Sequence, residues 1–358
     1  MAITIIQPFI AHYREDFYKS LSQKIDFDLF CIDMPNKDAG FKVSNQINVS
    51  WLPTFKLGKY IFFNFLKKEI LKNNIIVSSF NPNWITLYFL LFAKFFMRKK
   101  IILWTHGTSV LNGFNPKHPR DIIKIIFFNL ADGICFYTNN ELKIMSQYLK
   151  YPKLFYINNT MNVSKISETS SSIKDNKASL KRKYGISSSR VIIFCARFIE
   201  NRREDILIDL IKNLSNKDIS FIIIGDGNTK PDFSQFSKVH DFGSVYDSKI
   251  KAELFKIADF NFQPAWSGLS VIESLANGVP YLTMKKSKEI PQCVEYNYIK
   301  DSMNGFIFES IEEASELICS ISDKDLKTIK DFCKESANKE LSLEKMVKNF
   351  YNGVNSIN

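Results

Sequence analysis

Residues 264–280 read PAWSGLSVIESLANGVP, and this stretch decides how the second half of the chain is interpreted. A turn of small residues leads into a short apolar helix that ends at Asn277-Gly278. Glu273 is a carboxylate among apolar helical positions. In one interpretation Ser270 and Glu273 form a capping box. In the other, amides left free around Gly268 bind an anion, and Glu273 accepts hydrogen bonds from hydroxyl groups beside it.

Strand-like and helix-like segments alternate on both sides of this stretch. The strands are apolar almost throughout, which predicts two parallel sheets, each covered by helices on both faces. Ligands of such sheets bind at the carboxyl ends of the strands, and two such domains place a cleft between them. Two apolar helices are predicted in the first half, one with a basic face; they span 59–72 and 84–96.

A polar segment divides the chain of 358 residues, a length typical of two domains. The predicted organisation is a doubly wound, Rossmann-like α/β domain, a linker, a second domain of the same class, and a C-terminal helix that returns to the first domain. The first domain spans 1–163 and the linker 164–177. The second domain spans 178–337 and the C-terminal helix 338–358.

The composition favours a soluble globular protein with reduced thiols. Hydrophobic residues make up 45% of the chain and charged residues 24%. The six cysteines form no C-x-x-C pair and have no metal-ligand spacing with histidine, so we expect no metal site and no disulfide. The start of the chain has no basic region before its apolar residues, and 84–96 is too short to span a bilayer.

The positive charge is concentrated in the first half of the chain. Residues 1–165 hold 21 Lys and Arg against 10 Asp and Glu, which accounts for the whole net charge of +11. Such an excess is compatible with a solubilising surface, an anionic membrane partner or a nucleic acid. No nucleic-acid-binding motif accompanies it, so we expect no nucleic acid partner. We expect the basic helices to dock on a membrane; ordinary sheet-covering helices with solvated lysines are the alternative.

Several motifs together resemble those of GT-B fold glycosyltransferases, especially the large retaining group called family 4. In the second half the motifs occur in the family's order and spacing, as ARFIENRRED, IIIGDG, FGSV, PAWSGLSVIESLANGVP and EYNYIKDSMNGFIF. In the first half, HYREDF and WTHG resemble motifs of polysaccharide-assembling members. Each motif is weak alone, but their shared order is specific.

The resemblance implies a role for each matching residue of the second half. Arg197 matches an arginine that contacts the donor pyrophosphate, and Arg202 stands where the family usually has lysine. Arg203 stands where glycine is usual, which leaves the assignment between Arg202 and Arg203 open. The resemblance also implies that the backbone amides of Gly268, Leu269 and Ser270 face the diphosphate. It implies that the Glu273 carboxylate binds the ribose hydroxyls and that the backbone at Val245 lies beside the base.

In the first half, His106 matches a histidine that touches the transferred sugar in the family. The alternative is a polar residue satisfied under a loop. His12, Tyr13 and Arg14 follow the first strand, where the resemblance places them beside the acceptor, and a packing role is the alternative. Fixed cations at Arg197 and Arg202 would stabilise the departing diphosphate, so catalysis needs neither a metal nor another cofactor.

The resemblance therefore implies a retaining transfer of sugar from a nucleotide sugar to a glycan or polyprenyl-linked glycan acceptor. Such enzymes assemble bacterial surface polysaccharides, which implies a cytoplasmic location on the inner face of the cell membrane. One departure matters: Ala265 replaces the family's first glutamate, which contacts the donor sugar. Two alternatives remain, a nucleotide-sugar epimerase of the same fold and a catalytically inactive partner subunit of a glycan-assembly complex.

Overall fold

The structure, a computed structural model, describes residues 2–32, 44 and 46–357. The chain divides into two compact units. The first comprises Met1–Met161 and Leu343–Asn358, and the second comprises Asn162–Ser342. The predicted class, two Rossmann-like α/β domains with a returning C-terminal helix, is confirmed.

The first unit is built on a parallel sheet of seven strands in the order β3-β2-β1-β6-β7-β8-β9. Two further strands, β4 and β5, form a separate antiparallel hairpin. Over the described residues of this unit, the strands are β1 Ala2–Gln7, β2 Asp26–Cys31, β3 Ser50–Trp51, β4 Thr54–Leu57, β5 Tyr60–Phe63, β6 Ile75–Ser79, β7 Lys100–Thr105, β8 Gly133–Phe136 and β9 Lys153–Tyr156.

The second unit contains a parallel sheet of six strands in the order β12-β11-β10-β13-β14-β15. In order along the chain, this sheet runs 3-2-1-4-5-6, the doubly wound order whose direction reverses beside its first strand. The strands are β10 Arg190–Cys195, β11 Ile219–Ile224, β12 Val239–Asp241, β13 Phe260–Phe262, β14 Tyr281–Met284 and β15 Gly305–Phe308.

Helices cover both faces of each sheet, as near-continuous apolar parallel strands require. In chain order they are α1 Glu15–Ser22, α2 Lys68–Leu71, α3 Ile85–Met97, α4 Pro119–Leu130, α5 Asn139–Met145, α6 Val163–Ser172, α7 Lys177–Lys183, α8 Glu204–Asn213, α9 Ser248–Ile257, α10 Ser270–Ala276, α11 Ile311–Ser320, α12 Asp323–Glu340 and α13 Leu343–Asn355. Over the residues that the structure describes, no helix is both long and apolar enough to cross a bilayer.

The prediction of a helix over 59–72 is wrong. Strands β4 and β5 form a hairpin in which Leu57 pairs with Tyr60. Gly58 lies between them with φ 58°, a left-handed conformation that glycine adopts without strain. Alternate residues of β5 face the core, since Ile61 and Phe63 are buried. Only α2 is helical in this range, so the predicted basic helix face does not exist.

The prediction of a linker over 164–177 is also wrong. Most of this polar segment forms α6, whose N-cap Asn162 accepts a hydrogen bond from the backbone N–H of Lys165 at 3.0 Å. Val163 is buried, and the Lys256 side chain donates to the carbonyl oxygen of Ile173 at 2.7 Å. The segment is therefore part of the second unit, because capping and a few apolar contacts suffice to hold a polar helix.

Helix α13 completes the hydrophobic core of the first unit. Its buried face joins α1 and the sheet, and Phe350 packs edge-on against Phe17. Gly353 lies against the ring of Phe155 so closely that a Cβ at this position would overlap the ring. Helix α12 continues to Glu340 within the second unit, and the returning helix α13 begins at Leu343.

The contact between α13 and the sheet predicts a sharp difference between two neighbouring positions. Gly353→Val should lower the free energy of unfolding by about 1–3 kcal/mol, because the new side chain overlaps Phe155. Asn352→Val, on the exposed side of the same helix turn, is the control and should change stability by about 0.5 kcal/mol or less. Urea unfolding of both variants measures the difference, and equal stabilities would contradict this packing.

Candidate functional site

The strand order of the second sheet places two of the motif loops side by side. Strands β10 and β13 are hydrogen-bonded neighbours on the two sides of the point where the strand order reverses. Their carboxyl ends lead into 196–203 and 264–270, respectively. Ligands of doubly wound sheets bind at this edge, so we assemble the site from these two loops.

Two glycines of the IIIGDG motif hold the loop that follows β10. Gly225 and Gly227 have φ 143° and 153°, and a Cβ on either would overlap the carbonyl oxygen of Ala196 or Phe198. The backbone N–H of Ala196 donates to Ile224 at 3.0 Å, and that of Phe198 donates to Asp226 at 3.0 Å. Backbone contacts on both sides thus position Arg197, which is half-buried between them.

The two arginines at 202 and 203 have different environments. Arg203 forms a bidentate ion pair with Asp205, with Nε–Oδ1 at 2.8 Å and Nη2–Oδ2 at 2.6 Å. Arg202 is half-buried, its Nη1 donates to the carbonyl oxygen of Trp266 at 3.5 Å, and its enclosed Nε has no partner among the described residues. Burial lowers the pKa of Arg202, since a guanidinium loses hydration there.

The backbone at Arg203 indicates which arginine takes the family's lysine position. Arg203 has φ 58°, in the left-handed region that glycine favours. The resemblance placed the family's usual glycine at this position, directly after the lysine. The conformation therefore supports the register that pairs Arg202 with the lysine.

The loop after β13 is held by two buried glutamines. Gln292 Nε2 donates to the carbonyl oxygens of Pro264 and Met284, both at 3.0 Å, and Gln292 Oε1 accepts from the backbone N–H of Ser267 at 2.9 Å. Gln263 Nε2 donates to the carbonyl oxygen of Trp266 at 3.0 Å. These hydrogen bonds fix the loop, including Trp266, whose φ of 57° is unusual for a side chain of this size.

The loop ends in three consecutive amides at the start of α10. The backbone N–H groups of Gly268, Leu269 and Ser270 donate to no acceptor within the described part of the chain. The first amides of a helix lack intrahelical acceptors. Here Gly268 leaves the approach open, since a Cβ at this position would meet nothing closer than 3.9 Å.

The capping-box interpretation of Glu273 is wrong. No side chain caps α10, and the Ser270 hydroxyl bonds to the Tyr281 hydroxyl at 3.1 Å. Glu273 Oε1 accepts from Lys251 Nζ at 2.9 Å, and Glu273 Oε2 lies 4.0 Å from Cys195 Sγ. The Glu273 carboxylate therefore points toward the end of β10.

Sequence reasoning did not identify Lys251. It lies on α9, and its side chain is 29% exposed beside a Glu273 side chain that is 18% exposed. The Glu273 carboxylate raises the pKa of the Lys251 ammonium, so Lys251 is charged at neutral pH. Because 22 positions separate the two residues, no local motif connects them.

Val245 and Ala265, two further positions singled out in the sequence, are both at least partly enclosed by protein. Val245 lies in the loop after β12, half-buried against the core of the second unit. Ala265 is fully buried, so its methyl group is enclosed by protein. The loop therefore has no side chain at 265 that could reach a sugar hydroxyl.

In the first unit, His106 lines a pocket of about 650 Å³ at the carboxyl edge of the sheet. A tight turn directs it there, because Gly107 has φ 73° and a Cβ on Gly107 would press on Phe136. The imidazole stacks on Tyr137 with ring centroids 4.1 Å apart. Desolvation by the pocket walls and the charge of Arg14 lower the pKa of His106, which is neutral at pH 7 although its outer edge is exposed.

The three residues of the HYR motif form a single 3-10 turn after β1. Arg14 has a packing role: it donates to the carbonyl oxygen of Thr160 at 3.1 Å and to the side chain of Asn159. His12 is exposed and Tyr13 half-buried, so their placement beside an acceptor stays a prediction. Among the residues described, no group of three or more His, Cys, Asp or Glu side chains could hold a metal ion.

Solved structures of similar fold include glycosyltransferases. A glycosyltransferase from Rickettsia africae is 14% identical, with a TM-score of 0.71 over 99% of this chain and 98% of that one. Anabaena Alr3699/HepE in complex with UDP is 14% identical, with a TM-score of 0.68 over 99% of each chain. The lipopolysaccharide outer core galactosyltransferase WaaB is 15% identical, with a TM-score of 0.64 over 99% of each chain. The fold is therefore the two-domain GT-B fold.

Part of the second unit also matches a known family model. Residues 189–323 match the family model described as glycosyl transferases group 1, a range that contains both loops of the candidate site. No curated protein sequence matches the chain at a significant level. With this domain on a GT-B fold, the chain is a glycosyltransferase.

The ion pair between α9 and α10 predicts measurable coupling. In a double-mutant cycle of Lys251→Met and Glu273→Gln, the coupling free energy should be about 1 kcal/mol, because both side chains are less than a third exposed. Urea unfolding of the wild type, both single variants and the double variant provides the measurement. Lys249→Met, on the exposed side of α9, is the control for loss of a lysine. Additive single effects would show that the pair does not hold Glu273.

Proposed function

We propose that this glycosyltransferase moves a sugar from a nucleotide sugar to a glycan or lipid-linked glycan, with retention of configuration, in bacterial polysaccharide assembly. The observation that carries this proposal is the set of groups at one edge of the second sheet. Among the described residues, Arg202 has an enclosed Nε without a partner and the amides of 268–270 are open, while one carboxylate oxygen of Glu273 has the weak donor Cys195 Sγ at 4.0 Å as its partner. A nucleoside diphosphate offers the matching oxygens and hydroxyls.

The diphosphate would bind to cations and amides of this chain. Arg197 and Arg202 would stabilise the negative charge that develops when the diphosphate leaves, and a planar guanidinium suits two phosphate oxygens at once. The amides at 268–270 would add donors whose dipoles are already oriented. Because these groups supply the positive charge, we propose that binding uses no metal ion and no other cofactor.

The ribose would bind to Glu273. Lys251 Nζ donates to Oε1 of this carboxylate at 2.9 Å and would keep it oriented. Oε2, which lies 4.0 Å from Cys195 Sγ, can accept hydrogen bonds from ribose hydroxyls. The backbone near Val245 would then lie beside the base. Lys251 is a positioning residue in this arrangement, since it acts through Glu273.

Relatives of the same fold suggest where a search for ligands should begin. Anabaena Alr3699/HepE has been solved with UDP-glucose, and WaaB is described as a lipopolysaccharide outer core galactosyltransferase. These ligands and acceptors are those proteins' own. They support uridine diphosphate sugars as the first donors to test on this chain, and glycans as the first acceptors.

The transfer itself would need no protein nucleophile. We propose that the acceptor hydroxyl attacks the sugar on the face from which the diphosphate leaves, and that a departing phosphate oxygen takes the hydroxyl proton. Neutral His106 would contact the transferred sugar, while His12 and Tyr13 would border the acceptor. Since Ala265 is buried, another residue must recognise the donor sugar.

We also propose a cytoplasmic location with peripheral attachment to the inner face of the cell membrane. The support is the +11 charge held by residues 1–165, which favours an anionic surface. A lipid-linked acceptor would lie at that surface.

A nucleotide-binding and turnover panel tests the function. At about one hundred times its dissociation constant, a donor should stabilise the protein by roughly 2–3 kcal/mol in thermal unfolding. Nucleoside diphosphate should be released when donor and glycan acceptor are both present. Rearrangement of the donor without an acceptor would indicate an epimerase instead. Failure to bind any nucleotide sugar would indicate an inactive partner subunit.

The neighbouring residues Arg202 and Arg203 provide a test variant and a matched control for the proposed diphosphate site. Arg202→Met should weaken nucleoside diphosphate binding by about tenfold or more, since a charged hydrogen bond to phosphate contributes about 1.5–3 kcal/mol. Arg203→Met should change the affinity little, because Arg203 is already paired with Asp205. Isothermal titration calorimetry gives both constants. The opposite result would place the diphosphate on Arg203 and shift the register by one residue.

His106 should separate turnover from nucleotide binding. His106→Ala should lower kcat by about tenfold to a hundredfold, a loss typical of one positioned contact. The affinity for nucleoside diphosphate should stay unchanged, because the proposed diphosphate contacts all belong to the second unit. Steady-state kinetics and calorimetry measure the two quantities, with His240→Ala in β12 as the control. Parallel losses of turnover and nucleotide affinity would contradict the assignment of His106 to the transferred sugar.

A further inference from the structure

Helix α3 has a polarity opposite to that of an ordinary surface helix. Its one charged residue, Lys94, is buried, and Lys94 Nζ pairs with Asp132 Oδ2 at 2.8 Å. Phe89, Phe92 and Phe96, at helical spacing on the opposite face, are 59%, 53% and 92% exposed. A helix in contact with water normally presents polar residues outward. This outward face lacks them.

Helix α4 extends the exposed apolar area. Ile122, Ile123 and Ile126 are exposed along one side of it. Phe127 joins the two helices, since its ring lies 4.3 Å from that of Tyr88 and 5.9 Å from that of Phe92. We call the two groups together the apolar surface; it consists of Phe89, Phe92 and Phe96 of α3 and Ile122, Ile123 and Ile126 of α4. Contiguous exposed apolar residues of this extent mark a binding surface.

The exposed charges in the segment that carries α3 are of one sign. Residues 70–120 contain seven Lys and Arg and no Asp or Glu. Arg98 and Lys100 follow α3 directly and are exposed. The hairpin packs beside α3, since the Phe63 backbone N–H donates to the Thr86 hydroxyl at 3.0 Å, and it adds the exposed Lys59. An apolar face flanked by cations is complementary to a bilayer with anionic headgroups.

The apolar surface is continuous with the pocket that holds His106. Tyr88 of α3 and Ile123 of α4 both line that pocket. Arg120 and Lys124, also on its wall, are paired with buried Asp121 at 2.7 and 2.9 Å. A glycan in the pocket would therefore lie next to the exposed side chains of α3 and α4.

We propose that the apolar surface inserts into the headgroup region of an anionic bilayer, and that the adjoining pocket receives the glycan end of an acceptor anchored in the same bilayer by its lipid. This inference rests on the proposed function and names the acceptor class. A lipid anchor and the enzyme would share one surface, so the acceptor reaches the pocket by lateral diffusion. The apolar side chains supply insertion, and the cations supply preference for anionic lipid.

Vesicle co-sedimentation tests the surface directly. The protein should bind equimolar phosphatidylcholine/phosphatidylglycerol vesicles more tightly than phosphatidylcholine vesicles, and salt should reduce the difference without abolishing binding. The triple variant Phe89→Ser/Phe92→Ser/Phe96→Ser should lose at least about a hundredfold in partitioning. Phe96→Ser alone should lose less. The control, Tyr151→Ser/Met303→Ser, removes exposed apolar side chains elsewhere and should bind like the wild type.

Measuring nucleoside diphosphate binding and thermal unfolding of each variant separates a loss of membrane binding from a loss of donor binding or of folding. Both should match the wild type, because none of the changed residues lies in the donor loops. The inference is overturned if the wild type stays in the supernatant at low salt, or if the triple variant sediments with vesicles as the wild type does. It is also overturned if the wild type self-associates through this surface, in sedimentation velocity, without binding vesicles. Membrane binding without any nucleotide binding would instead refute the proposed function alone.

Discussion

Close contact between two backbone segments is the constraint on which the candidate site depends. The turn containing Gly225 and Gly227 lies directly on the carbonyl groups of Ala196 and Phe198, with no room for a side chain. Hydrogen bonds from the backbone N–H groups of Ala196 and Phe198 to Ile224 and Asp226 hold this contact in place. Arg197 therefore leaves the sheet at a fixed point, and the chain that carries Arg202 begins from there. A catalytic cation can act without reorganisation only if its backbone is held in this way.

The neighbouring loop is held by a different means. Buried side-chain amides of Gln263 and Gln292 replace the missing strand pairing of 264–268. This network satisfies the loop's carbonyl groups from one side, and the amides at 268–270 remain open on the other. As a result, the candidate site presents hydrogen-bond donors and, apart from the Glu273 carboxylate, few hydrogen-bond acceptors. That polarity suits a ligand that carries many acceptor oxygens and a few hydroxyl groups.

Much of the fold was accessible from sequence, since apolar strands and helices alternate with clear turn signals. The sequence also drew attention to both loops of the candidate site, because tight backbone turns require the glycines and small residues found there. The hairpin at 54–63 was missed although Gly58-Lys59 is a two-residue turn signal, because its aromatic residues also fit a helical pattern. The linker prediction failed because it relied on the polar composition of the segment and overlooked the helix N-cap at Asn162. Lys251 was inaccessible, since its ion pair with Glu273 exists only after α9 and α10 pack together.

Helix α3 shows a further limit of pattern reasoning. A helix that is apolar on all sides has no periodic signal to say which face turns inward. Lys94 would ordinarily mark the outer face, but Asp132 attracts it to the inner one, where Asp132 also accepts the backbone N–H of Ile101 at 2.7 Å. The inversion follows from one acidic residue at the start of β8. It could not be predicted without the three-dimensional arrangement.

The return of α13 has a consequence for the order in which the protein assembles. Residues near the end of the chain, among them Met346, Phe350 and Val354, cover apolar strands made at its beginning. During synthesis, one face of the first sheet therefore stays only partly covered, by α1, while the whole second unit emerges. The second unit contains all of its own core and can fold first. The part translated first is then completed last.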